Sequence, residues 1–137
     1  MPPTLSRDDV DRLLAAPLPP ARIELAGKLA EDLTQAQLSE AELKLAQDIV
    51  RILARDVEVT VRAALASNLQ TCPLLPRDVA QRLARDVEAV ALPILARSLV
   101  LTDEDLVEIV GSGSSAKQSA VAGRPTVSEA VAEALIT

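Results

Sequence analysis

The chain has no phenylalanine, tyrosine, tryptophan or histidine, and only one cysteine and one methionine in 137 residues. Each absence removes a class of chemistry. Without histidine there is no side chain of the kind that most often serves as a general base near neutral pH, and the commonest metal ligand is missing. A lone cysteine can form neither an internal disulfide nor a Cys/His metal cluster, and with no histidine to activate it Cys72 reads as a small apolar filler before Pro73. Without aromatics there is no platform on which nucleic-acid bases could stack. No G-x-S-x-G, phosphate-loop or G-x-G-x-x-G string occurs. The expectation is a non-catalytic protein with no cofactor and no metal.

Two further absences concern location. No apolar run approaches the length of a membrane span, and the opening MPPTLSRDDV lacks the basic-then-apolar order of a secretory signal. A cytoplasmic protein with no membrane partner is expected. The formal net charge of -6 argues against nucleic acid as a partner and favours solubility.

What remains is aliphatic. Nearly half of the residues are apolar, and with no rings among them the core must be finely divided, as closely packed helices require. Ser6 and Asp9 read as the start of a helix to about Ala15, which the prolines of Pro17 to Pro20 interrupt. Pro20 suits the first turn of the next helix, with Ile23, Leu25, Ala26, Leu29, Ala30 and Leu33 at helical spacing. Ser39 with Glu42 forms a capping-box pattern for a third helix, and Thr102 with Asp105 starts another that runs to about Val110. Gly111 to Ser115 reads as a turn, and Ser128 as the cap of a last helix through Ile136.

The chain also repeats itself. LARDVE at Leu53 to Glu58 returns at Leu83 to Glu88 after a shift of 30 residues, and Leu65, Ala66 and Leu69 then fall on Leu95, Ala96 and Leu99. A shift of 40 places Arg22, Leu25, Ala26 and Leu29 on Arg62, Leu65, Ala66 and Leu69. Recurring pairs of short helices are the signature of an alpha-solenoid, because one hairpin cannot bury its apolar stripe alone. The predicted fold is all-α: a right-handed superhelical stack of HEAT-like hairpins. One domain, 1–137, is expected, with units at about 6–33, 39–70, 76–99 and 102–123 and a final helix at 128–136. It reads as the N-terminal module of a longer protein.

Asp56 and Arg62 stand six residues apart, a spacing that resembles the HEAT family. There, an aspartate at the inter-helix turn and an arginine six residues later pair between neighbouring units. The carboxylate can cap a helix start while the guanidinium bridges adjacent turns. Asp86 keeps the aspartate in the next unit, but Leu92 takes the arginine's place, so the ladder is predicted to break there. Pro93 follows, and is predicted to kink its helix or delay its start. From Ile49 to Leu135, through LARDVEVTVRAALASNL, PRDVAQRLARDVEAVALPILARSLVLTDEDLVEIV and SAVAGRPTVSEAVAEAL, the chain resembles an uncharacterised bacterial domain-of-unknown-function family of HEAT-like repeats, known mainly from alphaproteobacteria. The resemblance implies the fold and no activity.

The acids Asp103, Glu104, Asp105 and Glu108 resemble a divalent-cation cluster, but a helix start attracts carboxylates through its dipole alone. The more promising feature is basic. Between Arg51 and Arg97 there are seven arginines against five acids. Arg55, Arg62, Arg82, Arg85 and Arg97, with Arg51, are candidates to present guanidinium forks to a partner, against the plainer reading of solvated helix faces salt-bridged at neighbouring turns; Asn68, matched by Ser98, is a further candidate, with a hydrogen bond to an adjacent helix as the alternative. Asp56, Arg62 and Asp86 are the candidate structural ladder. Repeat-built DNA-repair glycosylases and pigment lyases share such architecture, but this acidic, ring-free chain lacks the aromatic cleft and basic rim of the former, and nothing distinguishes the latter. The leading expectation is an interaction or regulatory scaffold that binds a protein partner along a helical groove. The alternatives are a sensor for a small anionic ligand such as a nucleotide messenger, and a self-assembly module forming homo-oligomers.

Overall fold

The computed structural model describes residues 18–35 and 37–136, with positions 8, 11 and 15. The helix expected from Ser6 to Ala15 falls mostly on residues outside that description. Among the described residues the regular structure is entirely helical: α1 (Pro19–Gln35), α2 (Glu40–Leu53), α3 (Val59–Leu69), α4 (Arg77–Ala84), α5 (Glu88–Arg97), α6 (Asp103–Ser112), α7 (Ser115–Ala122) and α8 (Glu129–Ile136).

Local chemistry explains most of the boundaries. At α2, the Ser39 hydroxyl accepts from the Glu42 N–H at 3.2 Å and the Glu42 carboxylate accepts from the Ser39 N–H at 2.9 Å, so two orphan donors are satisfied reciprocally. Thr102 and Asp105 do the same for α6, at 3.2 and 3.0 Å. The hydroxyls of Ser114 and Ser128 accept N–H bonds at the starts of α7 and α8. Helices α3 and α5 begin differently. Their N-cap residues, Glu58 and Val87, make no side-chain cap, and instead Asp56 accepts from the Glu58 N–H at 2.9 Å while Asp86 accepts from the Val87 N–H at 2.7 Å.

Pro93 lies inside α5 and does not delay it. The helix starts at Glu88, whereas a shift of 30 residues from Val59 would place its start at residue 89. The carbonyl deprived of its helical donor belongs to Ala89, an exposed residue that water can reach.

Packing follows the apolar stripes. Helix α1 packs on α3, α3 on α5 and α5 on α7, while α6 packs on α8. The pairs α1 and α2, α4 and α5, and α6 and α7 also touch. Helix α3 is flanked on two sides, so it buries Val61, Leu65, Ala66 and Leu69 and half-buries Ala63 and Ala64; its apolar character extends around the axis. Helix α4 is one-sided: Val79, Ala80, Leu83 and Ala84 are buried and Arg77, Asp78 and Arg82 are exposed. The core is an aliphatic cluster whose largest fully buried members are Leu, Ile and Val. No helix is long and apolar enough to cross a membrane among the described residues.

Candidate functional site

Two series of arginine–aspartate pairs tie the helices together. In the more buried one, Arg22 of α1 donates Nε to Asp56 Oδ2 at 2.6 Å, and Arg62 of α3 donates Nε to Asp86 Oδ2 at 2.7 Å and Nη2 to Oδ1 at 3.1 Å. Each arginine therefore reaches past its own hairpin to the aspartate of the following turn. Arg62 also donates Nη1 to the Asp56 carbonyl at 2.6 Å, joining one turn to the next. Planar guanidinium and carboxylate match in this two-point geometry. Burial alone would raise the Asp86 carboxyl, but the Arg62 guanidinium, the Val87 N–H and the charge of Lys117 outweigh it and hold the group below the usual carboxylate range. The Asp86 hydrogen bond raises Arg62 in turn.

The second series runs along α2, α4 and α6. Arg51 donates to Asp78 at 3.0 and 3.2 Å, and Arg77 donates to Asp105 at 3.1 and 3.0 Å. Asp105 also accepts from Gln81 at 2.8 Å and from its own capping box. Burial pushes the Asp105 carboxyl up, yet Arg77, the Thr102 N–H and Gln81 together drive it far below the ordinary value. The Arg51 hydrogen bonds likewise lower Asp78. Asp105 thus belongs to an ion-pair network, and no group of three or more Cys, Asp or Glu side chains arranged to hold a metal ion occurs among the described residues.

Between the two series lies a cleft of about 770 Å³. Its walls are the turn after α2 (Ala54, Arg55, Asp56), Arg62 of α3, the exposed side of α4 (Asp78, Gln81, Arg82), and Arg85 and Asp86. All three carboxylates in the lining are bonded to arginines: Asp56 to Arg22, Asp78 to Arg51 and Asp86 to Arg62. The charge left over is positive. Arg55 and Arg82 are exposed and make no side-chain hydrogen bond or ion pair among the described residues, and Arg85 meets only Glu108, at 2.9 Å, with both side chains largely exposed. An exposed pair of that kind contributes little and yields readily to a competing anion.

The structure therefore gathers Arg55, Arg62, Arg82 and Arg85 into one place. Their roles differ: Arg62 is committed to the ladder and forms part of the floor, while the other three present their forks. Arg97 and Asn68 are exposed but do not line the cleft. Arg77, Asp78 and Gln81 were not among the residues expected at a site, and Arg22 was matched to Arg62 without its partner Asp56, although charges of opposite sign lie 27 residues apart at Arg51 and Asp78 and 28 apart at Arg77 and Asp105. Arg124 was missed too. It donates to the carbonyls of Leu95 and Ser98, both at 2.5 Å, ending α5 where Ser98 is buried, and burial lowers the pKa of its guanidinium.

Residues 90–137 match the model of a family described as "Uncharacterised protein conserved in bacteria (DUF2336)". The match runs from within α5 through α8, including Ser98 and Arg124, and stops short of the cleft residues from Ala54 to Asp86. It is also shorter than the stretch from Ile49 to Leu135 expected to resemble such a family. No curated protein and no solved structure matches the chain.

Proposed function

We propose that the chain is a HEAT-like alpha-solenoid whose work is to bind a partner protein in the arginine-lined cleft, without catalysis. The succession of α1, α3, α5 and α7 along one side supports the solenoid reading, as does the recurrence of the arginine-to-next-aspartate pair. The observation that carries the binding reading is the sorting of arginines: every lining carboxylate is occupied, while Arg55 and Arg82 stay open at the rim. A guanidinium with five donors and no protein acceptor suits recognition of a carboxylate or phosphate.

The test is capture of proteins from bacterial lysate on the immobilised chain, compared with Arg55→Glu and Arg82→Glu. Among the described residues these two positions make no ion pair, so their loss is read as lost binding. A partner that is retained by the native chain and released by either charge reversal supports the reading. Identical captured proteins with all three chains would contradict it. A small-anion sensor would use the same open guanidiniums, and would announce itself as a rise in melting temperature with inorganic phosphate or nucleotides.

A further inference from the structure

We infer that the cleft takes an extended acidic segment of its partner, with a carboxylate at every third residue and an apolar residue beside each acid. This rests on the binding reading above and specifies the ligand. Arg55 and Arg85 occupy the same place in the two LARDVE stretches, at the turns that precede α3 and α5. Those helices pack directly on each other, and packed helix axes stand roughly 8 to 10 Å apart, which sets the spacing of the turns they follow. A chain in the polyproline-II conformation returns to the same face every three residues, advancing about 9 Å. Acids at positions i and i+3 of such a segment therefore meet successive arginines.

The neighbours of those arginines fit the same ligand. Val57 and Val87 follow the two turn aspartates, two residues on from each arginine, and are 87% and 53% exposed, leaving apolar surface for the residue beside each acid. Arg82 lies between the turns on α4 and supplies a further donor. Gln81 spends its amide nitrogen on Asp105, and its side-chain oxygen accepts no hydrogen bond among the described residues, so that oxygen can accept a backbone N–H. An extended segment has unpaired backbone N–H groups to give, whereas a helix has already used most of its own. The carboxylate that reaches Arg85 displaces Glu108, an exposed partner easily replaced.

Fluorescence anisotropy with labelled synthetic peptides tests this. The probe repeats Glu-Leu-Pro, and its control has the same composition with the glutamates adjacent. The spaced peptide should bind the full chain about tenfold more tightly than the control, and Arg55→Glu or Arg85→Glu should each weaken it about tenfold. Lys44→Glu, the same charge change on α2 outside the cleft lining, should leave affinity unchanged, and circular dichroism of all variants should match the native chain. Equal affinity for the two peptides, or an effect of Lys44→Glu as large as that of Arg55→Glu, would overturn the spacing. Binding of neither peptide would also overturn it. Lysate capture that still depends on Arg55 and Arg82 would then leave the broader binding reading standing, and a melting shift with inorganic phosphate alone would replace the peptide by a small anion.

Discussion

Arg62 and Asp86 lie 24 residues apart in sequence and meet through two parallel hydrogen bonds, at 2.7 and 3.1 Å, with side chains 17% and 13% exposed. A carboxylate that also caps the start of α5 is thereby tied to α3, the helix on which α5 packs. Asp86→Ala leaves the guanidinium without its carboxylate and removes the bond to the Val87 N–H. We expect a loss of about 2 to 3 kcal/mol in urea unfolding, and a clearly smaller loss for Arg51→Ala, whose pair with Asp78 is exposed. Equal costs for the two would contradict the distinction between the buried and exposed series.

Acid should unfold the chain through the same groups. Asp86 and Asp105 titrate below the ordinary value of 3.8 in the fold, so between the folded and unfolded pKa values the unfolded chain binds protons that the folded one refuses. Their contribution is complete above the unfolded value and is lost as pH falls through the folded one. The urea midpoint should be level down to about pH 5 and then decline. The decline should be shallower in a chain carrying both Asp86→Asn and Asp105→Asn, and an unchanged slope would assign the acid response to other groups.

Gly113 is the glycine that the fold requires. A Cβ there would lie 2.6 Å from the Ile109 carbonyl oxygen and 3.3 Å from Lys117 Cβ, whereas at Gly111 it would meet nothing within 4 Å. Gly113→Ala should cost about 1 to 3 kcal/mol, since the turn between α6 and α7 must open. Gly111→Ala, inside α6, should leave stability unchanged or raise it by up to about 1 kcal/mol. The two melting temperatures decide it, and a reversed order would refute the close approach.

Cys72 is buried, with 2% of its surface exposed, and burial raises its thiol pKa despite the backbone N–H groups of Leu74 and Leu75. It should react with a thiol reagent only at the rate at which the fold opens, and rapidly in urea. Fast labelling of the native chain would contradict its burial.

The helical character and several helix starts were legible because local chemistry fixes them. Ser39 with Glu42 and Thr102 with Asp105 satisfy orphan amides within four residues, and no distant partner is needed. Asp56 and Asp86 were legible as equivalent from the recurrence of LARDVE, and Arg62 from its place six residues after the first of them. Their pairing geometry was less so, because Arg62 bonds the backbone of Asp56 but the side chain of Asp86. The cleft could not be read as a place: Arg55, Arg82 and Arg85 converge only after α4 folds back beside the turns. Nor does composition reveal which arginines are committed, since Arg51 and Arg55 look alike in sequence and only the first finds a carboxylate. At Pro93 only the delayed start is overturned: the residue four before it is exposed, and α5 begins at Glu88 despite the missing amide proton.

The arginines fall into two populations, those paired with carboxylates of the fold and those, Arg55 and Arg82, that are open among the described residues. Side-chain Nε–H signals in a nitrogen-15 spectrum report this directly, by their exchange with water and by their response to the spaced acidic peptide. Arg22 and Arg62 should exchange slowly and stay in place on titration, while Arg55 and Arg82 should exchange fast and shift. If Arg55 and Arg82 stay still while the peptide binds, or if Arg62 exchanges as fast as they do, the division is wrong and the cleft is not the site.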